Sequence, residues 1–446
     1  MSRYLRVLRH RDFKYLFLGQ SASAVGDQVV IVALALYITQ RTGSATDLGL
    51  VLAAQTVPLV GLLLFGGVWA DRLARHRIMI ATDLIRAGLH VTLAALILTG
   101  GASVAEMVAI EALFGAARAF FQPAYTGLLP QTISPALMQD ARALSETTAN
   151  LAILVGPALG TALVLGVGAG EAFALDGVTF LVSALLLARL RPRRSVSAEP
   201  SVSAEPSVSA EPAVSVEPAA AAEPAAVHRS LWHELRVGWY EVSSRPWVWV
   251  TIAAFAIAVL SAYAQWYALA PVIARDHYGG VGVFGVLESI AGGGAVLGAL
   301  VGIVWRPRRP MVTGLLLVLV WPAQDIAFAL GAPLAAVVAL AAAAGFGFSL
   351  FGVWWETALA RHIPPQALSR VSSYDWMGSL ALLPLGFAVA GPLAATFGAR
   401  TVLGVGAAIA LVMLVLALVP RSTRQLPGEA TPAPSAQPSS SRAMSA

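Results

Sequence analysis

The chain has 446 residues, 57% of them hydrophobic and 12% charged, with a formal net charge of +5. Soluble domains average about 25% charged residues, and apolar stretches of about 20 residues, long enough to cross a bilayer, recur here from Tyr15 almost to Arg421, which excludes a typical soluble fold. The basic residues sit in short gaps between those stretches, which argues against a nucleic-acid partner, and the absence of cysteine rules out disulfides, thiol catalysis and cysteine-ligated metals.

The N-terminal MSRYLRVLRHRDFK is basic like the start of a signal peptide. However, the apolar run after it carries Gly19, Gln20, Gly26, Asp27 and Gln28 and ends at no cleavage site, so it reads as a retained first span. Spans are expected near 15–38, 49–70, 78–99, 103–124, 145–167 and 171–189, then 247–270, 281–304, 311–330, 333–357, 371–397 and 400–420. Alternate connections are poor in basic residues, holding only Arg41, Arg275 and Arg400. The other side holds Arg3 to Lys14, Arg72 to Arg77, Arg189 to Arg194, Arg306 to Arg309, Arg421 and Arg424. By the positive-inside rule, both termini of a multi-pass plasma (inner) membrane protein are then cytoplasmic. Trp247, Trp249, Trp354 and Trp355 lie near span ends and are expected to anchor at the membrane interfaces.

Between the halves, SVSAEP occurs three times in succession from Ser195 to Pro212. A proline every six residues forbids a helix there, and the segment reads as a low-complexity linker. Leu231, Leu235, Trp239 and Val242 then fall on one helical face, suited to lying along the membrane surface. The expected organisation is therefore a six-helix bundle over 1–190, a linker ending in an amphipathic helix over 191–245, a second six-helix bundle over 246–421, and a Pro- and Ser-rich tail over 422–446. Two halves of this kind place a substrate site between them near the midplane.

Ionisable groups at membrane depth are costly and usually serve a cavity or a partner. Asp27, about twelve residues into the first span, shares a face with Gln20 and Ser23 and is the sharpest candidate for handling a proton. A structural hydrogen bond or ion pair inside the bundle is the competing reading. Arg118 and Glu111 are the further proton-coupling candidates, with Arg118 expected to pair with Asp27 or Glu111. Arg86, Asp176, Gln265, Trp266, Tyr267, Glu288 and Asp325 join Gln20 as candidates for the substrate cavity. The seven histidines are scattered without metal-ligand spacing, so no metal site is assigned.

The segment GGVWADRLARHRI, from Gly66 to Ile78, joins spans 2 and 3. A glycine permits close helix approach, and a carboxylate among guanidiniums forms charge-assisted contacts that latch two halves together; a plain positive-inside loop would account for the basic residues alone. In Gly67, Asp71, Arg72, Arg75 and Arg77 this segment resembles the signature loop of the major facilitator superfamily, departing from it at Trp69, Ala74 and His76. The resemblance implies that Asp71 and Arg72 hold the state closed to the cytoplasm. In span 5, NLAILVGPALGTAL resembles that superfamily's antiporter motif in Gly156, Pro157 and Gly160, with Thr161 in place of a second terminal glycine. RHRDFKYLFLGQSASAVGDQ, TGSATDLGLV and FFQPAYTGLLP are similar to segments of the drug-antiporter branch that includes macrolide and enterobactin exporters. In the second half, GAVLGALVGIVWRPRR resembles a decayed copy of the signature loop without its acid.

The resemblance implies an all-α major facilitator fold of about twelve helices, exporting hydrophobic or amphiphilic small molecules by alternating access. It implies no bound cofactor, a proton gradient as energy source, and a monomer whose partners are its substrate and the lipid bilayer. An importer or lipid translocator of the same fold, a nontransporting receptor, and an integral membrane enzyme are the alternatives. The enzyme would need a nucleophile–base or metal constellation, and none is legible.

Overall fold

A computed structural model describes residues 6–191, 236 and 239–427, without the side chains of 64, 66–68, 70–72, 135, 303, 365–366 and 369–370. The SVSAEP repeats, Leu231, Leu235 and the tail from 428 lie outside the described residues.

Twelve helical spans are formed among the described residues. In the first half they are α1 (Arg11–Thr42), α2 (Ala45–Arg72), α3 (Arg75–Thr99), α4 (Val104–Thr132), α5 (Met138–Gly166) and α6 (Ala169–Ala188). In the second half α7 runs Pro246–His277 through a π-helical turn at Val259–Tyr263, followed by α8 (Gly282–Val304) and α9 (Pro310–Leu330, interrupted at Leu319). Then come α10 (Leu334–His362), α11 (Pro365–Leu380 and Leu383–Phe397) and α12 (Ala399–Leu416). A short α13 (Arg421–Gln425) closes the described chain.

Eleven of these spans are long and apolar enough to cross a membrane on their own composition. The exception is α4, whose Glu106, Glu111, Arg118 and Gln122 dilute its hydropathy. It packs on α2 and α3, so neighbouring helices shield much of its polar surface.

Small residues set the helix spacing. Gly115 of α4 abuts the Gln55 carbonyl of α2, while Gly294 and Gly298 of α8 abut the carbonyls of Ala342 and Phe346 on α10. These are corresponding pairs in the two halves, and without a Cβ the backbones approach closely enough to pack in lipid. The glycine spacing in GAVLGALVGIVWRPRR thus serves the α8–α10 contact. Between the halves, α2 meets α11 and α5 meets α8.

The termini of the described chain and the connections α2–α3, α4–α5, α8–α9 and α10–α11 share one end of the molecule, termed the linker face. The α1–α2, α3–α4, α7–α8 and α11–α12 turns form the opposite, loop face. The loop-face arginines act as helix caps. Arg275 donates to the carbonyls of Thr39 (3.2 Å) and Gly43 (3.4 Å) at the end of α1, and Arg400 donates to Ala329 at the end of α9 (2.6 Å). Helix C-termini leave carbonyls without intrahelical donors, and a guanidinium satisfies them while matching the dipole.

The tryptophan expectation needs correction. Trp249 is exposed, but Trp247, Trp354 and Trp355 are buried. Trp355 donates to Asp375 (2.8 Å), Trp354 donates to the Trp305 carbonyl (3.3 Å), and Trp247 packs edge-on against Trp355. They are bundle core, and only Trp249 can meet lipid headgroups.

Candidate functional site

A cavity of about 390 Å³ lies between the halves. Phe17, Gln20, Asp27 and Ile31 of α1 line it, with Arg118, Phe121 and Tyr125 of α4, Ser145 to Ile153 of α5, and Trp376 of α11. These residues occupy mid-membrane and linker-face portions of their helices, so the cavity opens on the linker face. The loop face is shut by close contacts between the halves. Gly49 of α2 packs at the Phe387 carbonyl of α11, Gly391 of α11 at Thr46, and Gly285 and Gly282 of α8 at Thr161 and Leu165 of α5. Arg275 adds its bonds from α7 to α1 across the same seam.

Asp27 sits midway along α1 on the cavity wall, on the face it shares with Gln20. Ser23 also borders the cavity, while the helix presents Gly19 and Gly26 to the bundle interior, where Gly19 packs on Ser183 and Gly26 on Asp176 of α6. The small residues bring α1 against α6, and the polar ones are left to the cavity. Gln20 also donates to Ser183 (3.2 Å), which fixes its amide.

Arg118 faces the same cavity but forms no ion pair with Asp27 or Glu111, correcting that expected pairing. Glu111 is instead buried, accepting from Gln55 (2.9 Å) with His90 Nε2 3.7 Å away. Asp176 is also wholly buried and bonds His90 rather than facing substrate. Arg86 is 2% exposed; it is paired with Asp83, and its guanidinium lies 4.2 Å from the ring centroids of both Phe121 and Phe180. It borders the cavity from behind Phe121. Two stacked cation–π contacts and an ion pair are what a guanidinium needs to persist at this depth.

In the second half, Gln265 and Trp266 are buried, which removes them from the cavity wall. Gln265 donates to the carbonyls of Leu260 (3.2 Å) and Gly386 (3.1 Å), bracing the π-helical turn. Trp266 and Tyr267 donate to the two oxygens of Glu288, each at 2.7 Å. Asp325 is wholly enclosed, and neither of its oxygens has a partner. The second-half candidates thus form a cluster of their own inside that bundle.

The side chains of Gly67, Asp71 and Arg72 lie outside the described residues. Of the rest of that loop, Arg75 donates to the Gly127 carbonyl of α4 (2.8 Å) and Arg77 is exposed. In α5, Gly156 packs on Gln28 and Gly160 on the Val29 carbonyl of α1. Pro157 removes one backbone donor, and Thr161 Oγ1 returns a bond to the Pro157 carbonyl (2.8 Å). Thr161 also contacts Gly285 of α8, so the residue that departs from the motif is an inter-bundle contact.

Sequence reasoning missed His90, Asp83, Glu146 and Trp376. Glu146 and Trp376 line the cavity, while His90 and Asp83 are buried beside it. Asp83 stands three residues before Arg86 on α3, a spacing the sequence does show, whereas the surroundings of His90, Glu146 and Trp376 come from other helices.

A twelve-span, two-bundle molecule with this cavity matches a family model described as the Major Facilitator Superfamily over residues 16–374. The chain belongs to that superfamily. It is a membrane transporter, and the enzyme alternative falls away. The chain is 27% identical to the multidrug efflux pump Tap of Mycolicibacterium fortuitum over 420 residues, covering 91% of this chain and 93% of that one. The putative bacilysin exporter BacE of Bacillus subtilis is 32% identical over 178 residues, 40% of this chain and 44% of that one. Among solved structures, the nucleoside transporter NupG superposes with a TM-score of 0.66 at 12% identity, covering 91% of this chain and 98% of that one. A bacterial homologue of the lysosomal transporter Spinster, in an inward-facing unoccupied conformation, gives 0.62 at 16%, covering 95% and 98%. At those identities the structural likeness speaks for the fold.

Proposed function

We propose that this transporter is a proton-coupled exporter of hydrophobic or amphiphilic small molecules in the plasma (inner) membrane. It acts as a monomer, with both termini cytoplasmic and no bound cofactor. The observation that carries the reading is the cavity between the halves, which is sealed at the loop face and has the Asp27 carboxyl on its wall. Its size falls in the range of small-molecule sites, about 300–1,000 Å³, and it sets the aromatic rings of Phe17, Phe121, Tyr125 and Trp376 beside polar and charged side chains, a mixed surface suited to amphiphilic compounds. The concentration of basic residues on the linker face supports a cytoplasmic position for that face by the positive-inside rule. The structure is then the inward-facing state. The relatives named as a multidrug efflux pump and as an exporter support the direction.

The test is ethidium efflux from an efflux-deficient host expressing the chain, with resistance profiled across compound classes. Expected is faster efflux than in the empty host, abolished by collapsing the proton gradient. Unchanged efflux and an unchanged resistance profile would overturn the reading.

A further inference from the structure

Behind the cavity wall of the first half, five ionisable side chains share one packed region. They are Asp83, Arg86 and His90 of α3, Glu111 of α4 and Asp176 of α6, none more than 2% exposed. His90 is at their centre. Its Nδ1 lies 2.5 Å from Asp176 Oδ2 and its Nε2 lies 3.7 Å from Glu111 Oε1. Neither Nε2 nor that Glu111 oxygen has a hydrogen-bond partner. The imidazole stacks on Phe114 (4.2 Å between centroids, 2° between planes) and meets Phe173 edge-on, so its orientation is fixed. Gln55 of α2 holds the other Glu111 oxygen.

The charges do not balance without protons. Three carboxylates against one guanidinium leave −2 when His90 is neutral, −1 when it is imidazolium, and zero when one carboxyl is protonated as well. An unpaired charge enclosed this way costs several kcal/mol, so the cluster is a place where protons reside. It also touches the moving parts. Asp176 Oδ1 rests on Gly26 of α1, in the space that any Cβ would fill, and the next residue is the cavity-wall Asp27.

We propose that His90, held between Asp176 and Glu111, takes up and releases the coupled proton, and that Asp176 resting on Gly26 passes this change to α1 and the cavity. This rests on the proton-coupled reading above. In the loaded state the imidazolium donates Nδ1–H to Asp176 and faces Glu111 with Nε2–H. On release, the Nε2 proton leaves the ring for the water of the cavity that Asp27 lines. The neutral ring keeps its bond to Asp176, but an Nε2 lone pair now faces the Glu111 carboxylate. That repulsion shifts the ring and Asp176, and with them the seat of α1. Only N–H and O–H bonds form or break. His90 is a positioning and proton-holding residue, with no contact to substrate.

Two experiments decide this. In proteoliposomes with an imposed pH gradient and ethidium as probe, His90→Gln is expected to lower gradient-driven transport about tenfold, within the usual span of coupling energies. Downhill equilibration of ethidium is expected to persist. Retained gradient-driven transport would overturn the proposal. The second needs no substitution at His90: the other six histidines are replaced by Gln and the remaining imidazole is followed by ¹⁵N NMR between about pH 5.5 and 10.5, a range that extends above the ordinary histidine switch because carboxylates surround this ring. A change in ring protonation is expected, and a ring fixed in one state throughout would overturn the proposal. If the wild type moves no ethidium at all, the export reading fails, and the NMR result still decides whether His90 exchanges a proton.

Discussion

Asp27 and Arg86 border the same cavity, yet their environments ask different things of them. Asp27 is on the cavity wall with no ion pair among the described residues. Asp27→Asn is expected to abolish gradient-driven ethidium efflux while leaving thermal unfolding of the purified protein unchanged; undiminished efflux would count against the assignment. Arg86 is enclosed with Asp83, and removing one member of a buried pair strands the other. Arg86→Met is expected to destabilise the protein by about 3–5 kcal/mol, seen as a lowered unfolding midpoint, with Asp83→Asn in the same chain restoring part of it. At this scale the sequence was only partly readable. Asp27, Arg86, Glu111 and Asp176 stood out because a charge inside an apolar run is visible in one dimension. His90 did not, because its partners come from α4 and α6 and no periodicity along α3 announces them.

The helices themselves were legible wherever one run of apolar residues made one span. The span that fell short, α4, is polar because it faces both the cavity and the buried cluster, so its stability comes from neighbours rather than from lipid. The tryptophans of α10 misled for a related reason: position near a helix end says nothing about which face of the helix is turned inward. The interruptions of α7, α9 and α11 were also invisible, since Gln265 braces the α7 turn from a residue that looks like any polar position. What glycines do is clearer. Gly160→Leu places a branched side chain against the Val29 carbonyl, and overpacking of that kind costs about 1–3 kcal/mol. A lower unfolding midpoint is expected, together with lost transport, because α1 can no longer seat on α5. A variant with normal unfolding and transport would show the contact to be dispensable.

For the whole molecule, the two faces are held by different means. The loop face closes through backbone approach at Gly49 and Gly391 and the packing of Gly285 on the Thr161 side chain, reinforced by Arg275 bonding the end of α1. Arg275→Gln weakens those bonds by about 1 kcal/mol, enough to move a two-state population roughly fivefold. The native chain has no cysteine, so Leu48→Cys, buried in the seam, reports directly. Its maleimide labelling is expected to rise about fivefold in the Arg275→Gln background, and an unchanged rate would show that the arginine does not hold the closed state.

That seam has a bearing on the cell's power supply. A membrane charged with protons is discharged by any continuous thread of water, and a cavity cut to mid-membrane leaves only half the usual insulation in place. Where helices touch this closely, there is no room for a file of water. The tight glycine contacts therefore act as a dielectric plug, which lets the transporter wait with one door open without short-circuiting the membrane.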